Sequence, residues 1–300
     1  MIRSASAALV GNKTRLHALA ARMDPSPHLQ FHHLQGPVGS TQDEARRLLR
    51  ERDASEAPKC LAVLADQQIQ GRGTKGRNWE GGELTGNLYL TICLPMDKIP
   101  VVFTLLPLQV GVLVAQRVSR LIQACHSSDK NETRATVKWP NDVLVGDKKI
   151  SGTLIENEIM SDNSSWLLVG IGVNVAFSPS LTGSPGKQVR GATCIQDSCP
   201  GDLLPQDTAA ILGLDLANAL VEWMVDRETA KATKEAQVIE DWKSFAAFGT
   251  PYEMRGEIED ETAGTHKGET VVAVNIQDDG QLLVRGENGL ERLLIADYMF

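Results

Sequence analysis

The chain has 300 residues, enough for one large domain or two unequal ones, and its 42% hydrophobic and 23% charged residues are ordinary for a globular protein. Its formal net charge of −8 argues against a DNA- or RNA-binding protein, because gripping phosphates requires a basic face. No uninterrupted apolar run approaches the ~20 residues that cross a bilayer, so no membrane partner is predicted.

The cysteines and histidines give no sign of a metal site. Five cysteines are scattered without a CxxC pair: Cys60, Cys93, Cys125, Cys194 and Cys199. An odd, scattered set is typical of reduced intracellular thiols that serve in packing. The six histidines include the pair His32-His33, but no cluster has metal-ligand spacing, so no metal ligand is predicted.

The N-terminal segment is rich in alanine, serine and basic residues, with no acidic residue before Asp24. Two interpretations remain open for residues 1–30: a disordered extension or a mitochondrial transit peptide. The expected location is therefore intracellular and cytoplasmic, with the mitochondrion as the alternative.

The first regular elements alternate between helix and strand. Thr41 is expected to cap a helix, with Glu44 at the capping-box position. The apolar runs 60–65 and 87–94 predict buried strands, and a helix is predicted from about 105 to 125.

The second half continues the mixed pattern. Residues 136–157 predict a strand, a turn and a hairpin that reverses near Gly146-Asp147. A strand over 166–175 follows, and helices are predicted near 208–225 and 229–247. Four short strand-like runs after Phe248 are the size of a small barrel.

These elements predict a chain of the α/β (α+β) class. We expect an N-terminal extension over 1–30, a large domain over 31–247 and a small C-terminal β domain over 248–300.

A glycine-rich stretch connects the first two apolar strands. Residues 71–76 match G-x-G-x-x-G, but a dinucleotide-binding fold needs a helix directly afterwards, and Arg-Asn-Trp-Glu-Gly-Gly makes none. The stretch carries three cations and Trp79 among its glycines. It is interpreted as a loop that orders over an anionic ligand and excludes water. A solvated surface loop is the alternative.

A lysine hairpin and a glycine-bearing strand form the other candidate features. Lys149 lies on the predicted hairpin, and its compact charge suits a phosphate or carboxylate oxygen. Gly152, Gly170 and Gly172 permit close approach of a ligand or of another backbone. Functional and structural interpretations both remain open for these residues.

Three segments together resemble the biotin protein ligase (holocarboxylase synthetase) family, in its form without an N-terminal DNA-binding domain. They are GRGTKGRNW at 71–79, KWPNDVLVGDKKISGTLIE at 138–156 and GIGVNV at 170–175. The order and spacing are very specific, and the resemblance spans about residues 36–300.

The resemblance implies that residues 31–247 form an α/β (α+β) catalytic domain that binds biotin and ATP, with a mixed β-sheet flanked by helices. It implies a small SH3-like β-barrel domain at the C-terminus. It also implies two half-reactions: ATP and Mg²⁺ activate biotin to biotinyl-5'-AMP, and a lysine of a carboxylase carrier domain then receives the biotin. Biotin is the substrate, and biotin, ATP and the carrier domain are the implied partners.

The resemblance also assigns roles to individual residues. Lys149, Arg72 and Asp142 are expected to be catalytic. The expected contacts of biotin are Ser40, Thr41, Gln68, Gly71, Arg72, Trp79, Lys149, Gly152, Gly170 and Gly172. The expected contacts of the nucleotide are Arg72, Lys75, Arg77, Trp79, Asn141, Lys149 and Asn174. Asn141 and Asp142 are candidates for Mg²⁺ or the attacking amine.

One position departs from the family pattern. Many members carry arginine at the position of Thr74, and that arginine helps them retain the reactive adenylate. Either Lys75 substitutes for it, or this chain releases the adenylate more readily.

Three other functions were weighed. Lipoate protein ligase shares the fold and the adenylate chemistry, but its glycine motif differs. A biotin-sensing DNA repressor needs a helix-turn-helix of roughly 60 residues, whereas about 35 residues precede the catalytic unit. A non-enzymatic vitamin-binding protein leaves the cationic loop and Lys149 unexplained. The sequence does not predict the oligomeric state.

Overall fold

A computed structural model describes residues 24–53, 59–81, 84–126, 133–179, 191–199, 203–249, 251–253 and 269–294. Within these ranges the chain forms a central sheet with helices on both faces, a short two-stranded ribbon and a separate antiparallel sheet near the C-terminus.

The central sheet has seven strands in the order β1-β2-β5-β9-β8-β7-β6. Their bounds are β1 Leu29–Val38, β2 Cys60–Gln68, β5 Leu88–Pro95, β6 Ala135–Lys138, β7 Asp142–Val145, β8 Lys148–Ile159 and β9 Ser165–Val173. Strands β1 and β2 run parallel, and the other neighbours pair antiparallel, so the predicted mixed sheet is confirmed. The hairpin between β7 and β8 turns at Gly146, where φ is +60°, as predicted.

Helices cover the two faces of the sheet unequally. Helix α1 (Thr41–Glu51) packs on one face, where Ala45 and Leu49 join a small apolar cluster. Helices α2 (Leu106–Ala124), α3 (Thr208–Val225) and α4 (Lys231–Phe245) contribute to the large core on the opposite face. Because both faces are covered, every residue of β5 is buried. The N-terminus of α1 meets the end of β2, where Thr41 contacts Gln68.

The cap of α1 differs from the expectation by one residue. Ser40, not Thr41, is the N-cap, and its side chain accepts a hydrogen bond from the Gln42 backbone N–H. Thr41 is the first helical residue, and its N–H and hydroxyl both donate to Gln68. Thr41 therefore serves a tertiary contact instead of capping the helix.

The described chain begins packed on the catalytic unit, ahead of the predicted boundary at residue 31. The Ser26 backbone N–H donates to Asn218 Oδ1 on α3 at 2.8 Å, and β1 begins at Leu29. The expectation for residues 1–23 lies outside the described residues.

The described part of the C-terminal region, residues 251–253 and 269–294, consists of β-strands and turns, as the sequence predicted. Its strands β10 (Pro251–Glu253), β11 (Thr270–Ile276), β12 (Leu282–Gly286) and β13 (Glu291–Leu294) pair antiparallel in that order. The Trp139 indole N–H donates to the carbonyl of Gly280 at 3.0 Å, which joins this sheet to the turn before β7.

Two helices of the fold are unusually apolar. By length and mean hydropathy alone, the segments 103–124 and 208–225 could span a membrane. In the fold they lie against the sheet, with 72% and 50% of their apolar windows buried. Core packing accounts for their composition.

The expectation of scattered, unpaired cysteines is wrong for one pair. Cys125, at the end of α2, forms a disulfide with Cys199. Cys60, Cys93 and Cys194 are free and buried. Burial raises the pKa of the Cys60 thiol to about 12 and that of Cys194 to about 11, so both are poor nucleophiles near neutral pH. Sequence spacing carried no sign of the pairing, because its partners are 74 residues apart.

Candidate active site

A buried group of neutral polar side chains lies beside the N-terminus of α1. Gln68, the last residue of β2, accepts hydrogen bonds at Oε1 from the Thr41 backbone N–H (2.9 Å) and the Thr41 hydroxyl (3.2 Å). Thr91, on β5, donates to the Thr41 hydroxyl at 2.9 Å. Ser40, Thr41 and Gln68 are all less than 10% exposed. We call this group the polar end of the site.

The glycine-rich loop returns to the polar end as a folded ribbon. Strands β3 (Gly71–Arg72) and β4 (Asn78–Trp79) pair antiparallel, and a 3-10 turn over Thr74–Gly76 joins them. No α-helix follows the glycines, which confirms the exclusion of a dinucleotide fold. A Cβ at Gly71 would lie 2.4 Å from the Trp79 carbonyl oxygen and 2.5 Å from Gln68 Nε2, so only glycine fits there.

Trp79 lies flat on two glycines of the sheet. Gly152 on β8 and Gly172 on β9 are direct partners in the ladder. A Cβ at Gly172 would come within 2.4 Å of the Trp79 indole, and one at Gly152 within 3.1 Å. Glycine at both positions therefore gives the indole its place against the sheet. Trp79 links the loop to the floor of the site.

Lys149 and Asp142 form the charged end of the site. The Lys149 ammonium lies 2.6 Å from Asp142 Oδ1, with the side chains 27% and 18% exposed. The same ammonium lies 5.4 Å from the centre of the Trp79 ring, within cation–π range. Because Asp142 pairs with Gly152 across the β7–β8 ladder, both charges stand beside the glycine floor. Lys149 is placed to meet a second anion where the pair is open to solvent.

A strap formed by residues 191–193 supports the backbone of Lys149, and its last residue, Thr193, is buried. The Lys149 N–H donates to Gly191, and the Thr193 N–H donates back to the Lys149 carbonyl. The Asn174 side chain, 3% exposed, donates to the Thr193 carbonyl at 3.0 Å. Asn174 therefore holds the strap, and its expected contact with the nucleotide stays a prediction.

Arg72 points away from the glycine floor toward α1. Its guanidinium binds both carboxylate oxygens of Asp43 at 2.7 and 2.8 Å and lies 3.8 Å from Glu156. Hydrogen bonds from Arg72 lower the pKa of the Asp43 carboxyl below its ordinary value. The bidentate pair fixes the base of the loop to the first turn of α1.

The remaining two cations of the loop, Lys75 and Arg77, lie at or next to its tip and are exposed to solvent. Lys75 has a left-handed backbone (φ 59°) and an exposed side chain. Arg77 folds back on Thr74, donating to its carbonyl at 3.0 Å and to its hydroxyl at 2.6 Å. The neighbour that Thr74 gains in this fold is thus Arg77 rather than Lys75.

Two further predicted residues lie in packing positions. The Asn141 side chain donates to the Thr153 carbonyl at 2.6 Å and clamps the turn onto β8. A Cβ at Gly170 would lie 3.0 Å from Gln42 Nε2, so this glycine makes room for α1. Their expected ligand contacts stay predictions, since local packing already accounts for both residues.

Comparison with known proteins shows which enzymes this chain resembles. Residues 38–174 match the model of the biotin/lipoate A/B protein ligase family. The biotin–[acetyl-CoA-carboxylase] ligase of Paracoccus denitrificans is 29% identical over 249 residues, covering 79% of this chain and 89% of the relative. The bifunctional ligase/repressor BirA of Bacillus spizizenii is 27% identical over 278 residues, covering 88% and 72%.

A solved structure agrees with these relatives. The biotin protein ligase of Leishmania major, in complex with biotinyl-5-AMP, is 29% identical with a TM-score of 0.54. The match covers 90% of this chain and all of that one. Over most of its length the chain is therefore similar to biotin protein ligases.

Within this fold, the site residues adjoin one another in one continuous row, which we call the groove. The Gln68 amide lies beside Gly71, which pairs with Trp79. Trp79 lies on Gly152, and Gly152 lies beside Lys149. The groove therefore runs from a neutral polar end, over an indole and a glycine floor, to a lysine at the charged end.

The sequence reading of this ligase missed two side chains that the site uses. The sequence analysis gives Asp43 no role, although Asp43 binds Arg72. Thr91 lies within a predicted apolar strand, although its hydroxyl contacts Thr41. A threonine hydroxyl in the run Leu-Tyr-Leu-Thr-Ile-Cys-Leu is the available signal, because a buried hydroxyl needs a partner.

The described part of the ligase builds no cage for a metal ion from its own side chains. No three of its histidine, cysteine, aspartate and glutamate side chains converge. Mg²⁺ commonly needs only one or two carboxylates when phosphates and water supply the other oxygens. Asp142, which is partly exposed at the charged end, fits that requirement.

Proposed function

We propose that the chain is a biotin protein ligase, which activates biotin with ATP and transfers it to a lysine of a carboxylase carrier domain. The observation that carries the proposal is the groove with hydrogen-bonding groups at one end and Lys149 at the other. Biotin has the matching form: a neutral polar ring system, an apolar chain and a terminal carboxylate.

The polar end binds the ring system of biotin. Ser40, Thr41 and Gln68 are buried there and uncharged, which suits a ureido group that carries no charge. Trp79 then offers a flat apolar wall for the chain of biotin, beside the floor of Gly152 and Gly172.

Lys149 serves the first half-reaction at the charged end. A carboxylate oxygen of biotin attacks the α-phosphorus of ATP, the bond from that phosphorus to the bridging oxygen breaks, and pyrophosphate leaves. The attack brings two anions together, so a fixed ammonium between carboxylate and α-phosphate stabilises the transition state. Asp142, together with the phosphates, would hold Mg²⁺, which would supply further positive charge for the departure of pyrophosphate.

The second half-reaction needs a neutral amine. At a pKa of ~10.4, only about 0.1% of a free lysine is neutral near pH 7.4. We assign Asp142 to receive the proton of the carrier lysine once Lys149 has turned to the ligand. The amine nitrogen then attacks the biotinyl carbonyl carbon, the bond from that carbon to the AMP oxygen breaks, and AMP leaves with the bonding electron pair. The nitrogen releases its second proton to water as the amide forms.

The C-terminal sheet completes the proposed domain organisation. Four described strands, β10 to β13, pair in sequence, as the strands of a small SH3-like barrel do. Trp139 contacts this sheet and lies three residues before Asp142. The C-terminal domain is thereby placed to affect the charged end of the groove.

The residue at position 74 of the loop, Thr74, is expected to affect how well the enzyme retains biotinyl-AMP. The cation that contacts Thr74 is Arg77, which is exposed and already engaged within the loop. We therefore propose that this ligase releases some of its biotinyl-AMP. Biotin on bystander lysines, above an uncatalysed control, is the expected result, and a background level would contradict it.

Biotin-dependent exchange of pyrophosphate into ATP tests the proposed function, with lipoate and octanoate assayed alongside biotin. Exchange with biotin alone is expected. No exchange with biotin would overturn the proposal, and exchange driven by lipoate would move the chain to the lipoate ligases that share its family model.

A further inference from the structure

Thr91 is a polar residue at the centre of the apolar strand β5. Its side chain is completely buried, with Leu90 and Ile92 as equally buried neighbours. A hydroxyl removed from water costs free energy unless it is hydrogen-bonded. Its partner is the Thr41 hydroxyl at 2.9 Å, so this core residue is joined directly to the polar end of the groove.

The hydrogen bonds of this group run in one direction, from Thr91 to Thr41 and from Thr41 to Gln68. The backbone N–H of Thr41 can only donate, so the Gln68 atom 2.9 Å away must be the carbonyl oxygen Oε1. That contact fixes which end of the Gln68 amide faces Thr41. The Thr41 hydroxyl gives its proton to the same oxygen and therefore accepts the proton of Thr91.

The same geometry decides what Gln68 presents to the groove. With Oε1 occupied by Thr41, the NH₂ group lies on the other side, where it adjoins Gly71. Gly71 begins the loop whose Trp79 forms a wall of the groove. The polar end thus presents a hydrogen-bond donor whose orientation is set before any ligand arrives.

We propose that Thr91 is a positioning residue for the substrate: through Thr41 it holds the Gln68 amide with its NH₂ toward the groove, where it donates to an acceptor atom of the bound ring system. The inference rests on the proposed function. Thr91 lies behind Thr41 and acts through it, so its effect is on substrate binding and not on the chemical steps.

The test is substitution of Thr91 by valine, which keeps the shape and removes the donor, and by serine, which keeps the donor. Biotin affinity is measured by calorimetry, and KM and kcat by pyrophosphate exchange. One lost neutral hydrogen bond corresponds to about 3- to 10-fold. Thr91→Val should raise the biotin Kd and KM by that factor and leave kcat and the KM for ATP within twofold. Thr91→Ser should restore the wild-type values.

Ser119→Ala is the matched control for loss of a buried hydroxyl. Ser119 accepts a hydrogen bond from the Ala135 N–H, away from the groove. This variant should lose stability in urea without a change in biotin Kd. Thr91→Ala replaces Thr91→Val if the valine variant does not fold.

A double-mutant cycle separates positioning from general packing. In a Gln68→Leu background, Thr91→Val should leave the biotin Kd unchanged, because the amide it orients is gone. An equal loss in both backgrounds would overturn the proposal, as would wild-type biotin affinity in Thr91→Val. Failure of the wild-type protein to bind biotin would instead overturn the proposed function.

Discussion

The end of the groove at Thr41 and Gln68 consists of neutral groups that are buried and bound to one another, whereas the end at Lys149 and Asp142 holds charges that are partly exposed. Neutral groups can be buried before a ligand arrives if they satisfy one another. A charged group that awaits an anion needs a counter-ion or water meanwhile. We infer that the polar end is prebuilt, whereas the charged end exchanges partners when the substrates bind.

Arg72 shows the same contrast between a contact that is prebuilt and one that requires an exchange of partners. Its bidentate pairing with Asp43 keeps it on α1, away from the glycine floor, while the loop that carries it is already folded. A role for Arg72 at the ligand therefore requires exchange of Asp43 for the ligand. Its role as an anchor of the loop requires no such exchange.

Of the substitutions considered, removal of Lys149 from the charged end should reduce activity most. We expect Lys149→Ala to lower biotin-dependent pyrophosphate exchange by ~10²–10³, the loss typical of a missing transition-state donor. Lys148→Ala is the matched control, because Lys148 is the exposed neighbour on the same strand. Equal activity of the two variants would remove Lys149 from its role.

Reduction of the Cys125–Cys199 disulfide should weaken the support of the charged end. Cys199 follows the strap whose Thr193 pairs with Lys149. A loop closed over 74 residues stabilises a fold by about 4 kcal/mol in the chain-entropy model, with measured values commonly 2–4. We expect dithiothreitol to lower the free energy of unfolding in urea accordingly. Cys199→Ser should show the loss without reductant and no further response to it.

Replacing Gln68 at the polar end should weaken the binding of biotin. Gln68→Leu leaves the Thr41 N–H without its acceptor and the ligand without its donor, at a cost of about 1–3 kcal/mol. We expect the biotin Kd to rise by about 5- to 150-fold and kcat at saturating biotin to change little. Calorimetry against Gln70→Leu, an exposed glutamine two residues away, gives the comparison. Matching affinities in the two variants would contradict a prebuilt polar end.

The Arg72–Asp43 pair should have the smallest effect, because exposed ion pairs contribute about 0–1 kcal/mol. We expect Asp43→Asn to change biotin KM by less than about fivefold, and Glu44→Gln on the same helix to change nothing. Because the folded pKa of Asp43 is lowered, its contribution is present above the ordinary value of 3.8 and is lost as the pH falls below it. The protection from hydrogen exchange that this pair gives the loop should therefore stay constant between pH 5 and 8.

The sequence was a good guide wherever periodicity or a motif carried the information. The α3 helix and the β7–β8 hairpin follow from apolar spacing and a glycine turn, and the groove residues Gln68, Trp79 and Lys149 follow from family motifs. Packing between distant segments was not readable. The Cys125–Cys199 pair and the Asp43–Arg72 contact each join positions whose separation has no pattern.

Two glycines illustrate the same limit. Gly170 and Gly172 look alike in the sequence, as two glycines of one apolar strand. The structure places Gly172 under Trp79 and Gly170 under Gln42, so one lines the groove and the other admits a helix. Only the position of α1 on the sheet distinguishes them.

The most direct test of the two-ended groove is the single-turnover rate of biotinyl-AMP formation in Gln68→Leu and Lys149→Ala, measured from low to saturating biotin. We expect saturating biotin to restore the rate of Gln68→Leu to within a few-fold of wild type. The same biotin should leave Lys149→Ala slower by ~10²–10³. Full recovery of Lys149→Ala at saturating biotin, or no recovery of Gln68→Leu, would contradict the division between a binding end and a reacting end.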